Sequence, residues 1–63
     1  MHNQLNKKMA IVTGAGQGLG RAIAIGMAKN GADIIVTDIN RDAASETVAE
    51  IVELGQKALA LAI

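Results

Sequence analysis

Four glycines in alternate positions, Gly14, Gly16, Gly18 and Gly20, stand between an apolar run and a helix-like segment. No other feature constrains the fold as much. The run before them, Met9-Ala10-Ile11-Val12-Thr13, is continuously apolar up to its last residue. It reads as a buried strand, because strands inside a parallel sheet are apolar without alternation. After the glycines, Leu19, Ala22, Ile23, Gly26 and Met27 recur at i, i+3, i+4, i+7 and i+8. That spacing predicts a helix from about Gly18 to Lys29 with these residues as its packing stripe. Gly26 lies on the stripe, which suggests a close approach to the sheet.

The rest of the chain repeats the alternation. Asn30-Gly31 stops the first helix. A second strand runs from Ala32 or Asp33 to Asp38. Asn40 suits the N-cap of a second helix, Arg41 to Leu54, and Asp42 favours that helix's positive end. Ala44, Val48 and Ile51 form its inner face. Asp42, Glu46, Glu50 and Glu53 form a solvated opposite face rather than an acid–base pair, since like charges at i, i+4 are mildly unfavourable. Gly55 ends it, and Lys57 to Ile63 begins a third buried strand.

This βαβαβ order implies an α/β fold with a parallel sheet. Three strands and two helices make one Rossmann-type half of a doubly wound sheet, in strand order 3-2-1. In the complete fold the first strand is central and pairs on its far side with a fourth strand. The chain of 63 residues contains no such strand. It is therefore expected to be the N-terminal part of a single nucleotide-binding domain, incomplete and prone to associate through its open edge. The first helix agrees. Its other face carries Ala24, Ile25 and Ala28, so residues outside the chain are expected to cover it.

Composition narrows the function. Half of the residues are apolar (51%) and none is aromatic. A domain this short buries only about 60% of its unfolded surface. Cys is absent and there is one His, so neither a disulfide nor a zinc site can be assembled. Six basic and six acidic residues leave no charge footprint for nucleic acid. No apolar run approaches the roughly 18–20 residues of a membrane span, and the polar start is no signal peptide. A cytoplasmic setting is the default expectation. His2 sits among polar residues without a partner and is assigned no role.

The chemistry resides in Thr13-Gly14-Ala15-Gly16-Gln17-Gly18-Leu19-Gly20. Where a helix follows a glycine turn, unpaired amides and the positive dipole end attract a pyrophosphate. One glycine allows the tight turn, one lets the backbone approach phosphates, and one lets helix and strand pack closely. A Gly-x-Gly-x-x-Gly pattern fails because position 19 is Leu. Thr-Gly-x-x-x-Gly-x-Gly fits, through Thr13, Gly14, Gly18 and Gly20. A P-loop is excluded, since no Gly-Lys-Ser/Thr follows.

This segment resembles the cofactor turn of the short-chain dehydrogenase/reductase family, and Lys8 to Val12 and Arg21 to Ala24 resemble its flanks. The resemblance runs from Lys7 to Ile63. It implies an NAD(P)-dependent oxidoreductase that moves hydride between nicotinamide and a small alcohol or ketone. It implies that Gly14, Gly18 and Gly20 take the three backbone roles. It also implies that amides around Gly16, Gln17, Gly18 and Leu19 face the cofactor, and that the Thr13 hydroxyl braces the turn. Full-length members are expected to be homo-oligomers.

Asp38 ends the second strand, near the roughly 20-residue spacing of an acid that holds an adenosine ribose. Ile39 beside it joins the set of cofactor contacts. Asp38 would repel the 2′-phosphate of NADP, a bias of about tenfold at short range. Gln17 agrees, since NADP-preferring relatives often carry a basic residue there. NAD is therefore the expected cofactor and NADP the alternative, with Arg41 close enough to complicate the choice. The family's reaction resembles catalysis by a Tyr, a Lys four residues later, a Ser and an Asn. The chain has no Tyr, so no catalytic residue is assigned. Two other readings stand beside this one. The first is a non-catalytic nucleotide-binding module or remnant. The second is a methyltransferase-like α/β enzyme, weakened because Thr13 rather than an acid precedes Gly14.

Overall fold

The computed structural model describes residues 7–63; His2 lies outside them. Five elements follow one another: β1 (Met9–Thr13), α1 (Gly18–Lys29), β2 (Asp33–Asp38), α2 (Arg41–Glu53) and β3 (Ala58–Ala62). The strands form one parallel sheet with β2 in the middle. This is the Rossmann-type βαβαβ half of a doubly wound sheet, in the order expected.

Helix α1 packs on β1 and β2, α2 packs on β2 and β3, and the helices touch each other. Both therefore lie on one face of the sheet. The register explains what they cover. Ala10 aligns with Ile34 and Ala58, and Val12 aligns with Val36 and Ala60. These six residues face the helices, where they meet Ala24, Ala28, Ala44 and Ile51. Fully burying a side chain such as Ile34 or Ile51 contributes roughly 1.5–3 kcal/mol. The alternate residues face the other way. Met9, Ile11, Leu59 and Leu61 remain 42–69% exposed. The strands read as buried on both faces, yet among the described residues only one face is covered, because both helices lie on that side.

Helix α2 begins as the sequence implies. The Asn40 side chain accepts a hydrogen bond from the Ala43 amide at 3.0 Å. The helix closes at Glu53, with Leu54 as its C-cap. Its inner face holds Ala44 and Ile51 as expected, with Val48 half-buried, and it adds Thr47, which is fully buried. Glu50 leaves the purely solvated role of the acidic stripe, because it pairs with Arg21 of α1. Both side chains are partly exposed, so the pair contributes at most about 1 kcal/mol. At the other end of the sheet, Asp33 accepts from the Gln56 side chain at 3.2 Å and from the Lys57 amide at 3.1 Å, which fixes where β3 starts.

The packing face of α1 differs from expectation. Ala24 and Ala28 are buried against the sheet, whereas Leu19 is 77% and Ile23 46% exposed. The face assigned to an outside partner is the one that packs here. The reason is distance. The head of α1 lies directly on the turn, and small side chains let the remaining turns stay equally close. Gly26 is not a close-approach glycine either, since a Cβ built there meets nothing within 4 Å.

Candidate functional site

The turn between β1 and α1 uses two left-handed glycines, Gly14 at φ 62° and Gly18 at φ 57°. An L side chain is strained in that region, so glycine is required at both. Gly20 is constrained by space instead. A Cβ there would sit 2.2 Å from the Gly14 carbonyl oxygen and 2.8 Å from its carbon. The first turn of the helix therefore rests on the backbone that enters it. Gln17 is the N-cap, in an extended conformation, and no side chain caps the helix. The first turn also contains no acidic residue. Its leading amides are left for water or a ligand, as helix starts leave them. Around Gly18 a Cβ would meet nothing within 4 Å, so an incoming group can come up to this backbone.

Asp38 stands beside this helix start, at the end of β2. Its Oδ2 accepts from the Gly16 amide and its Oδ1 from the Asn40 amide, both at 2.9 Å. The Asn40 amide, followed by that of Gly16, holds the carboxyl below its ordinary pKa, against a smaller opposing effect of desolvation. Asp38 is thus an anion at neutral pH with lone pairs to spare. Close to it opens a cleft of about 430 Å³ lined by Thr13, Gly14, Thr37, Asp38, Ile39 and Ile63. The cleft lies outside the carboxyl ends of the three strands, where ligands bind in open α/β sheets. Its volume falls in the usual range for small-molecule sites of about 300–1,000 Å³.

The expected residues converge in part. Thr13, Gly14, Asp38 and Ile39 line the cleft, and Ile39 is 88% exposed beside the acid. Gln17, Gly18 and Leu19 form the exposed helix start. Gly16 departs from the group of outward amides, because its N–H is engaged by Asp38. Among the described residues the Thr13 hydroxyl makes no hydrogen bond that braces the turn. That role belongs to Thr37, whose hydroxyl donates to the Val12 carbonyl at 3.2 Å and whose carbonyl accepts from the Ala15 amide at 3.0 Å. Thr37 is buried across from Thr13 in the register, whereas Thr13 opens on the cleft. Arg41 is the first, exposed residue of α2.

Besides Thr37, three residues near the site were not legible as such. Ile63 lines the cleft, and the rule that ligands sit at strand carboxyl ends points to it. Ala43 and Thr47 of α2 contact Gly16, and nothing in their sequence spacing marks them.

Residues 8–63 match the profile of the short chain dehydrogenase family. The chain belongs to that family. Cyclohexanol dehydrogenase of Acinetobacter sp. is 48% identical over 60 residues, covering 95% of this chain and 24% of the relative. The 7alpha-hydroxysteroid dehydrogenase of Escherichia coli is 53% identical over 57 residues, covering 90% and 22%. A solved 7 alpha-hydroxysteroid dehydrogenase complexed with NADH and 7-oxo glycochenodeoxycholic acid superposes with a TM-score of 0.90 at 50% identity, covering 95% and 24%. The chain spans about a quarter of the length of these short-chain dehydrogenases. Among its described residues no helix is long and apolar enough to cross a membrane.

Proposed function

We propose that this segment binds NAD, as the cofactor-holding part of an oxidoreductase that moves hydride between nicotinamide and an alcohol or carbonyl. The observation that carries the proposal is the placement of the Asp38 carboxylate. It stands at the lip of a cleft, next to a glycine-lined helix start without a side-chain cap. The residues fit a dinucleotide. Gln17, Gly18 and Leu19 offer backbone amides to the diphosphate. Asp38 offers acceptors to the ribose hydroxyls, while Ile39, Thr13 and Ile63 offer walls to the adenine side. When bound, nicotinamide supplies the hydride acceptor or donor. The residues of this chain bind and orient; with no Tyr among them, the proton-handling group of the reaction is not theirs.

NAD is preferred over NADP in this proposal, because Asp38 is held ionised and would face a 2′-phosphate with like charge. The test is fluorescence titration of the protein with NADH and NADPH, repeated with Asp38→Ala. The wild type should bind NADH more tightly by about tenfold, and the substitution should narrow that gap. Tighter NADPH binding by the wild type, or a gap that ignores Asp38→Ala, would sink the assignment.

A further inference from the structure

Gly16 is held at its amide, its carbonyl and its Cα, and the groups that hold it come from elsewhere in the chain. Its amide donates to Asp38 at the end of β2. Its carbonyl oxygen lies 3.4 Å from the hydroxyl of Thr47, in the second turn of α2. Its Cα faces Ala43, so closely that a Cβ on Gly16 would sit 2.8 Å from the Ala43 Cβ and 3.0 Å from the Ala43 carbonyl carbon. Gly16 is buried and Thr47 is 0% exposed. The Thr47 hydroxyl is shared, since the Ala43 carbonyl lies 3.3 Å away. Back-bonding to the residue four positions earlier is a common habit of helical Thr. Here the same hydroxyl also reaches a carbonyl from a different element, in a place that water does not enter.

We infer that the amino-terminal half of α2 seats the Gly16 peptide, with Thr47 as a positioning residue that fixes the glycine turn before any ligand arrives. The argument is geometric. The amides of Gln17, Gly18 and Leu19 follow Gly16 directly, and the Gln17 N–H shares a plane with the Gly16 carbonyl, so an error in the setting of Gly16 is passed on to all three. Asp38 holds the peptide unit that ends in the Gly16 N–H, Thr47 holds the next unit, which carries the Gly16 carbonyl and the Gln17 N–H, and Ala43 blocks sliding between them. Thr47 would thus act on dinucleotide affinity without touching the ligand. The inference rests on the reading that the turn holds a dinucleotide, but the seat itself can be examined with no ligand present.

The experiment compares Thr47→Val, which keeps the shape and removes the hydroxyl, with Thr47→Ser, which keeps the hydroxyl. In the ligand-free protein, amide hydrogen exchange is followed at Gly16 and, as a control, at Ile35 in the middle of β2. NADH affinity is measured on the same three proteins, with amide shifts of Gln17 to Gly20 recorded during titration. Losing one weak net hydrogen bond corresponds to about three- to tenfold. Thr47→Val should speed exchange at Gly16 and weaken NADH binding by that factor. It should leave Ile35 unchanged, and Thr47→Ser should stay within about twofold of wild type for the same reason. Unchanged exchange at Gly16, or equal acceleration at Ile35, overturns the inference and reduces Thr47 to ordinary helix packing. Faster exchange with unchanged affinity overturns the link to binding. NADH shifts that fall away from Gln17–Gly20 overturn the proposed cofactor site, while the exchange data still judge the seat.

Discussion

Replacing Gly20 and Gly26 by Ala, one at a time, makes the same chemical change twice in one helix, and the structure assigns the two changes opposite signs. At Gly20 the new methyl would lie 2.2 Å from the Gly14 oxygen, 2.8 Å from the Gly14 carbon and 3.2 Å from the Ala15 Cα. All three are backbone atoms, so no side chain can swing away. Relieving overlap in a packed interior costs up to about 3 kcal/mol. The better helix propensity of Ala returns about 1 kcal/mol, leaving a net loss of about 2 kcal/mol. At Gly26 the methyl meets nothing within 4 Å, so only the propensity gain of about 1 kcal/mol remains. Urea unfolding followed by circular dichroism should therefore separate the two variants by about 3 kcal/mol, with the wild type between them. Shifts in the same direction, or a Gly20→Ala protein within about 0.5 kcal/mol of wild type, would refute the contact between turn and helix.

Two further outcomes are expected. Asn40→Ala removes the acceptor for the Ala43 amide at the head of α2 and should cost about 1 kcal/mol, read from the shift in the urea midpoint. Asp38 sets a pH dependence: because its carboxyl is held below its ordinary pKa in the folded state, its contribution is complete above about pH 4 and is lost as the pH falls through the lowered folded value. The Gly16 and Asn40 amide proton resonances should shift together over that acid window, and Asp38→Asn should abolish the shared shift.

The order of elements was legible because each relies on a local signal. A continuous apolar run marks β1, Asn40 marks the head of α2, and Gly31 and Gly55 mark where helices stop. Their bounds agree with the structure to within a residue or so. The inner face of α1 was not legible. Periodicity weights large side chains, so it selected Leu19 and Ile23, whereas contact with the sheet selected Ala24 and Ala28 for their small size. At the site, the spacing of Gly14, Gly18 and Gly20 and the position of Asp38 were readable. Each answers to a backbone angle, a steric limit or a strand end. The bond from Gly16 to Asp38 spans 22 residues, and that from Thr47 to Gly16 spans 31. Such links depend on how β2 and α2 stack in space, which no local pattern encodes. The exchange of Thr37 for Thr13 as the bracing hydroxyl has the same origin, since the two are neighbours only across the sheet.

The contact between Gly20 and the carbonyl of Gly14 has a kinetic consequence. The exposed amides of α1 are mounted on a frame already set by β1, so a ligand finds its donors arranged at arrival. Little backbone freedom is surrendered on capture, and the entropic toll of ordering a loop is largely absent. Encounter is then governed by diffusion and charge. For a nucleotide bound as proposed, changes around the rim of the cleft would mostly alter how long it stays, rather than how fast it comes.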